Sequence, residues 1–162
     1  MSSEFRWPLR VYYEDTDAGG IVFYANYLKF FERARTEWLR AASVGQQQLS
    51  AETGCMFVVK NVAIDYHAPA KLDDRLEISV QVEKLGRASV VFAQEAWCMN
   101  GTTPILLCSG TVRVGCVDEA SMRPAQIPST AFKKISAAHH SAIAAAARTN
   151  TVVSFSPAQE MP

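Results

Sequence analysis

The sequence has no surplus of charge of either sign. Across 162 residues, 16 Lys and Arg are balanced by 16 Asp and Glu. Proteins that bind extended nucleic acids or anionic membrane surfaces usually carry an excess of positive charge. The net charge of zero therefore argues against a nucleic-acid partner, although it leaves room for a local basic patch that binds a small phosphorylated ligand.

Long apolar runs are also absent from the sequence. No uninterrupted apolar stretch approaches the roughly 20 residues that are needed to span a bilayer. The first ten residues include Glu4, Arg6 and Arg10, whereas a secretory signal peptide needs an uncharged apolar segment. We therefore expect a cytoplasmic protein without a transmembrane segment.

Cysteines are few and are not arranged as metal ligands. The four cysteines form no C-x-x-C pair and have no histidine at ligand spacing, which argues against a zinc site. They are Cys55, Cys98, Cys108 and Cys116. Each lies in an apolar, strand-like stretch, where a reduced thiol packs as a small hydrophobic side chain. We expect no metal site and four reduced thiols.

Several catalytic motifs are missing as well. The sequence contains no G-x-S-x-G nucleophile elbow, no P-loop and no dinucleotide-binding glycine pattern. The three histidines do not complete a Ser-His-Asp set: His67 lies near the end of an expected strand, and His139 and His140 lie in an Ala-rich segment. These absences argue against serine hydrolases, P-loop enzymes and Rossmann dehydrogenases.

One long amphipathic helix is the clearest local feature. Apolar residues recur at intervals of three and four over residues 25–42, which predicts a helix with one broad buried face. Asn26 is a candidate N-cap, and Gly45 is a candidate terminator. Because this face is rich in aromatic residues, we expect it to pack against a sheet. A short second helix is expected at 46–53.

Strand-like segments surround this helix. They are expected at 6–13, 55–67, 75–83, 88–99 and 104–117, with a hairpin signal at Asn100-Gly101. In the third segment Leu76, Ile78, Val80 and Val82 alternate with polar residues, as in a strand with one buried face. The pattern predicts an α+β fold with a curved antiparallel sheet around the helix. Pairing of an exposed sheet edge would produce a dimer.

The chain divides into three parts by composition. Residues 1–128 carry the strand and helix patterns and are expected to form one domain. Residues 129–148 are Ala-rich and are expected to form a helical extension, and residues 149–162 are polar and aperiodic, as in a disordered tail.

The loop between the first strand and the long helix contains the residues that are best suited to catalysis. It places Glu14, Asp15 and Asp17 just before Gly19 and Gly20, at the start of the helix. The unpaired amides and the dipole of a helix N-terminus can stabilise an oxyanion. A nearby carboxylate can act as a nucleophile or as a general base. Together these groups are sufficient to hydrolyse an acyl bond.

A purely structural interpretation of the same segment remains open. Asp and Gly clusters usually form turns, and short motifs have a high false-positive rate. On this interpretation Glu14 and Asp15 are solvated or locally bonded acids. The aromatic residues that follow, such as Tyr24, Tyr27 and Phe30, would belong to the core.

The motif D-x-D-x-G-G-x-V at residues 15–22 resembles the hotdog-fold acyl-CoA thioesterases of the 4-hydroxybenzoyl-CoA thioesterase family. Residues 5–8, 31–37, 66–74 and 76–78 extend the likeness, which covers about 5–128. The nearest branch is the bacterial group associated with the Tol–Pal envelope system. The resemblance implies a hotdog fold, in which a five-stranded antiparallel sheet wraps around a long central helix. It also implies a homodimer or homotetramer.

The same resemblance assigns roles within the loop. It implies that Asp17 is the catalytic carboxylate, acting either as a nucleophile or as a general base. The oxyanion donor maps to the backbone N–H of Tyr24. That branch commonly has histidine where this chain has Tyr24, so we interpret Tyr24 as a pocket wall and backbone donor. Gly20, Val22 and Tyr27 are expected to contact the substrate.

CoA phosphates need cationic partners. Arg87 beside a strand connection is the first candidate, followed by Lys84, Lys60 and Lys71; each of them is equally compatible with an ordinary solvated surface charge. No cofactor is implied, since CoA is part of the substrate. The alternative function is an interaction module for acyl carrier protein or for envelope and lipid-synthesis enzymes, with weak hydrolysis.

Overall fold

The structure of the chain is a computed structural model that describes residues 4–153, with side chains described up to residue 142. Five strands and three helices follow one another, with two short 3-10 turns at Tyr13–Asp15 and Tyr24–Asn26. The order is β1 Phe5–Arg10, α1 Tyr27–Ala41, α2 Gln46–Thr53, β2 Cys55–Tyr66, β3 Arg75–Leu85, β4 Ser89–Cys98, β5 Ile105–Asp118 and α3 Ser129–Val153.

The strands form a single antiparallel sheet in the order β1-β3-β4-β5-β2. The helix α1 packs on one face of this sheet, which confirms the α+β prediction and the hotdog architecture that the resemblance implied. The edge strand β2 returns at its end to the start of α1, where the Tyr66 hydroxyl donates to the Tyr24 carbonyl at 2.7 Å. That return positions the site described below.

The core lies between α1 and the inner face of the sheet. The helix contributes Phe30 and Phe31, both fully buried, and Trp38, whose ring meets the ring of Phe92 on β4 edge-on at 5.7 Å. The alternating residues predicted on β3 are all buried, namely Leu76, Ile78, Val80 and Val82. Each fully buried large side chain contributes about 2–3 kcal/mol to folding.

The two ends of α1 differ from the expectation. The helix begins at Tyr27, after a 3-10 turn, and the Asn26 side chain makes no capping hydrogen bond. Instead that side chain bonds to Asp15 in the preceding loop. At the other end α1 stops at Ala41, and Ser43 takes the left-handed conformation with φ 65°. Gly45 precedes α2 rather than terminating α1.

The first strand is shorter than expected. It ends at Arg10 because Tyr13-Glu14-Asp15 coil into a 3-10 turn. The amide of Val11 still donates to the carbonyl of Asp74, at 3.0 Å. The loop that follows is therefore held beside the start of β3.

The C-terminal helix α3 docks through Ala131 and Ile135, which are both buried. It runs to Val153 and so extends beyond residue 148, while residues 154–162, the rest of the expected tail, lie outside the described residues. Within residues 4–153 no helix has the length and apolar character needed to cross a membrane. All four cysteines are free thiols, and three of them are buried.

Candidate active site

The acidic loop closes on itself just before α1. Thr16 and Val22 form an isolated antiparallel bridge, and the Asp17 amide donates to the Ile21 carbonyl at 2.9 Å. The Gly20 amide donates back to the Asp17 carbonyl at 3.0 Å. Gly20 has φ +80°, a conformation that costs little only for glycine. The loop is therefore a tight turn that presents Asp17 at its base.

The Asp17 carboxylate is exposed, and one of its two oxygens is unpaired. Its Oδ1 accepts the Gly19 amide at 2.8 Å. Among residues 4–153 no donor is bonded to Oδ2. The turn thus orients the carboxylate through one oxygen and leaves the other available for chemistry.

Asp15 anchors this loop to the helix start. The residue is only 4% exposed, and its carboxylate accepts the Asn26 side-chain amide at 2.9 Å and the Tyr12 backbone amide at 2.8 Å. Its carbonyl accepts the Phe23 amide at 3.0 Å. A buried carboxylate is tolerated when hydrogen bonds replace its hydration. Asp15 is therefore a structural acid, in contrast to Asp17.

The Tyr24 amide is free at the entry to α1. The neighbouring amides of Phe23 and Asn26 donate to the carbonyls of Asp15 and Phe23, whereas in the described part of the chain the Tyr24 amide has no acceptor. The Tyr24 carbonyl accepts the Tyr66 hydroxyl at 2.7 Å, which ties this turn to the end of β2. An unpaired amide at a helix start is a suitable anion donor.

A cleft of about 450 Å³ joins these groups. It is lined by Asp17, Val22, Tyr24, Tyr27 and Tyr66, together with the segment after β2. The Tyr27 and Tyr66 rings meet edge-on at 5.8 Å. Burial raises the pKa of both Tyr27 and Tyr66 above that of an ordinary phenol. Both phenols therefore stay protonated near neutral pH, and they form part of the cleft wall instead of acting as bases.

Most of the predicted loop residues meet in this cleft. Asp17, Val22, Tyr24 and Tyr27 line it, and the Val22 amide is fixed by the Ala70 carbonyl at 2.9 Å. Gly20 does not line the cleft, and its role in the structure is to make the turn.

Of the four predicted cations, Lys71 alone lies next to the cleft in this chain, and the other three do not line it. Lys84 is near the end of β3, and Arg87 follows in the turn to β4. The acidic loop adjoins the other end of β3, about 30 Å away along the strand. Lys60 on β2 lies across Gly115 on β5. Lys71 is adjacent to the cleft, because it forms a bridge with Ile21.

Sequence reasoning missed the wall that comes from the end of β2. Tyr66, His67 and Pro69 line the cleft, although they lie some forty residues after the loop. The His67 Nε2 atom pairs with the Ser109 hydroxyl at 3.0 Å. The available signal was the position of Tyr66 at the end of a strand that returns to the helix start.

The chain is similar to known thioesterases. A family model described as the thioesterase superfamily matches residues 19–105. The acyl-CoA thioesterase YbgC of Haemophilus influenzae is 46% identical over 140 residues, which are 86% of this chain and 97% of that protein. The acyl-CoA thioester hydrolase YbgC of Escherichia coli O6:H1 is 48% identical over 124 residues, covering 76% of this chain and 90% of that protein.

Solved structures show the same architecture. A hypothetical protein from Thermus thermophilus has a TM-score of 0.76 at 26% identity, and the match covers 84% of this chain and 100% of that one.

Proposed function

Because the chain belongs to the thioesterase superfamily, we propose that it hydrolyses acyl-CoA thioesters in the cleft beside Asp17. The observation that carries this proposal is the meeting of two groups in one cleft wall. The carboxylate of Asp17 has an unpaired oxygen, and the amide of Tyr24 is unpaired at the start of α1. The first group supplies the attack, and the second group receives the negative charge that the attack creates.

The Tyr24 amide would donate a hydrogen bond to the thioester carbonyl oxygen. Negative charge develops on this oxygen as the tetrahedral intermediate forms, so a donor that is already oriented stabilises the transition state more than the ground state. The Tyr66 hydroxyl holds the carbonyl side of the same residue at 2.7 Å. This bond fixes the orientation of the turn that presents the donor.

Asp17 would act by one of two routes. As a nucleophile, its Oδ2 attacks the thioester carbonyl, the CoA thiolate leaves and takes a proton, and water then hydrolyses the resulting anhydride to the free acid. As a general base, Asp17 takes a proton from water while the water oxygen attacks the carbonyl, and the thiolate leaves with a proton. Both routes return Asp17 to the carboxylate form.

An isotope experiment separates these routes. In a single turnover in ¹⁸O-labelled water, the nucleophile route places an unlabelled Asp17 oxygen in the product acid and label in the enzyme when water attacks the Asp17 carbon of the anhydride. When water attacks the acyl carbon instead, the product acid carries the label, and the route is then identified by the acyl–Asp17 anhydride trapped on the peptide. The general-base route places the label in the product acid at once. Mass spectrometry of the product and of the peptide that contains Asp17 distinguishes the two results.

The cleft walls favour a flat or apolar acyl group close to the carbonyl. Tyr24, Tyr27 and Tyr66 surround the reacting position with aromatic surface. Aromatic pairs contribute about 0.5–1.5 kcal/mol beyond simple burial. A hydrolysis series across short, long and aromatic acyl-CoAs therefore tests both the activity and the acyl-group preference expected from the aromatic wall.

Lys71 is our candidate for the CoA phosphates on the same subunit, because it borders the cleft beside Ile21. Arg87, Lys84 and Lys60 remain proposals that require a neighbouring subunit to bring them near a bound CoA. The carboxylate and amide supply the chemistry of both routes, so we propose that no metal or further cofactor takes part.

We also propose a cytoplasmic homodimer or homotetramer of the Tol–Pal-associated branch. The edge strand β2 ends in the cleft wall, so pairing of two β2 edges would extend the sheet next to the site. Light scattering after gel filtration measures the oligomeric state. No feature of the described residues favours the acyl carrier protein module over a hydrolase.

A further inference from the structure

A second cavity is bordered by the same two elements as the cleft. The cleft is lined by residues at the start of α1 and at the end of β2. The second cavity, of about 230 Å³, is lined by Glu32 and Arg35 further along α1 and by Phe57 and Val59 nearer the start of β2. Between them α1 presents Leu28, which is 42% exposed. Both cavities are therefore bordered by α1 and by β2, the cleft at one end of this pair and the second cavity further along it.

Arg35 is the unusual residue of this second cavity. Its side chain is more than nine-tenths buried, with 9% exposure. Its Nη1 donates to the Gln94 Oε1 at 3.0 Å, and the Gln94 Nε2 donates to the Phe31 carbonyl at 3.0 Å. The partner is therefore a neutral amide that is itself fixed to α1. No ion pair to Arg35 exists within the described chain, and burial lowers its pKa.

The other guanidinium nitrogens of Arg35 make no hydrogen bond to the described residues. The only fully enclosed side-chain nitrogen or oxygen without a partner, among the residues that the structure describes, is the Trp97 Nε1. The unbonded nitrogens of Arg35 are therefore reachable rather than sealed into the core, and the space that Arg35 lines is the second cavity. A guanidinium that is largely dehydrated and has spare donors favours an oxygen acceptor.

The carboxylate of Glu32 disfavours an acceptor that carries a negative charge. It lines the same cavity one turn before Arg35, and its Oε1 accepts the Thr36 hydroxyl at 2.9 Å. A carboxylate in the cavity would meet Arg35 but would be repelled by Glu32. A hydroxyl satisfies both residues, because it can accept from Arg35 and donate to Glu32.

We propose that this cavity receives the distal end of the acyl chain and selects a chain that carries a hydroxyl group there. The inference rests on the proposed function. Tyr27 and Arg35 are eight residues apart on α1, which corresponds to about 12 Å along the helix. At roughly 1.2 Å per bond of an extended chain, this is about the length of a ten-carbon chain. The substrate class is therefore a medium-chain acyl-CoA with a terminal hydroxyl.

The test compares ω-hydroxydecanoyl-CoA, decanoyl-CoA and the ω-carboxyl analogue as substrates. We expect kcat/KM of the wild type to be about tenfold higher for the hydroxylated chain than for the plain one, equivalent to about 1.4 kcal/mol. The kcat/KM for the carboxylated chain should be no higher than that for the plain chain. Arg35→Met should remove the preference, whereas Arg33→Met, at an exposed arginine of the same helix, should retain it.

Thermal unfolding shows whether Arg35→Met still folds. If it does not, a second variant tests the same cavity. Val59 lines the other wall of the cavity and is 51% exposed, so Val59→Phe narrows the cavity at little cost to the core. It should reduce turnover of both decanoyl chains and leave butanoyl-CoA unchanged.

Equal kcat/KM for the three chains in the wild type, a preference for the carboxylated chain, a hydroxyl preference that survives Arg35→Met, or unchanged turnover of both decanoyl chains in Val59→Phe would each overturn the inference. Calorimetric binding of free ω-hydroxydecanoate and decanoate separates it from the proposed function. If neither thioester is hydrolysed but the hydroxylated acid binds about tenfold more tightly, the proposed function fails and the cavity assignment stands. If both thioesters are hydrolysed equally, only the cavity assignment fails.

Discussion

The side-chain amide of Asn26 donates a hydrogen bond of 2.9 Å to the buried carboxylate of Asp15. These two residues are eleven positions apart, and they join the acidic loop to the turn that begins α1. Asp17 follows Asp15 by two residues, and Tyr24 precedes Asn26 by two. The bond therefore links the two segments that carry the proposed catalytic carboxylate and the proposed donor amide.

Asn26→Ala should impair catalysis more than substrate binding. The change leaves the buried Asp15 carboxylate without one of its donors, which costs about 1–3 kcal/mol. We expect kcat to fall at least tenfold with KM nearly unchanged, and the free energy of unfolding in urea to fall by that amount. Asn61→Ala, at an exposed asparagine on β2, is the matched control. Wild-type kcat in Asn26→Ala would show that the bond does not position the site.

Gly20→Ala should disturb the loop. A side chain at φ +80° costs about 1–2 kcal/mol, and the turn that orients Asp17 would relax. We expect lower kcat and a small loss in the free energy of unfolding. Gly86→Ala has no positive φ and only ordinary contacts at 3.4 Å, so both quantities should remain near wild type. Equal behaviour of the two variants would contradict a strained turn at Gly20.

Stability should fall at alkaline pH. Burial raises the pKa of the Cys108 thiol from 9.0 to about 12 and that of Cys116 to about 11. Both thiols stay protonated in the folded protein at pH values where the unfolded chain has already lost these protons. The folded state then binds more protons, so the free energy of unfolding decreases as pH rises above about 9. Urea unfolding from pH 7 to 11 measures this decline, and Cys108→Ala should make it shallower. A flat profile would be inconsistent with buried protonated thiols.

Lys71→Ala should weaken CoA binding and spare the chemistry. Loss of one phosphate contact should raise KM for acyl-CoA several-fold with kcat nearly unchanged, and added salt should reduce the difference. The same acyl group on a short thiol without phosphates should show no change. Lys84→Ala is the informative control, because Lys84 lies at the far end of β3. A larger effect at Lys84 than at Lys71 would indicate that a neighbouring subunit supplies the phosphate contact.

The fold was predictable because its signals are local. The three- and four-residue spacing marks α1, and the alternation at Leu76, Ile78, Val80 and Val82 marks β3. The start of α1 was misplaced by two residues because Asn26 bonds to Asp15 instead of capping the helix. Local propensity contains no information about a partner eleven residues away.

The local nature of sequence signals also explains which residues of the site were predicted. Asp17, Tyr24 and Tyr27 lie in one continuous segment, so their meeting follows from a loop that leads into a helix. Tyr66 joins them only because β2 returns along the sheet edge. The distance that separates Lys84 and Arg87 from the loop likewise depends on which end of β3 each residue occupies, and residue type does not specify that.

The most direct test of this account is hydrolysis by Asp17→Asn, followed as thiol release across short, long and aromatic acyl-CoAs. The substituted side chain keeps the size of the original and an oxygen for the Gly19 amide, so the fold and the unfolding temperature should stay near wild type. Glu14→Gln, at an exposed acid in the same loop, should retain activity. We predict a loss of at least a hundredfold in kcat for every substrate of the wild type. Full activity in a folded Asp17→Asn variant would contradict the central role of this carboxylate.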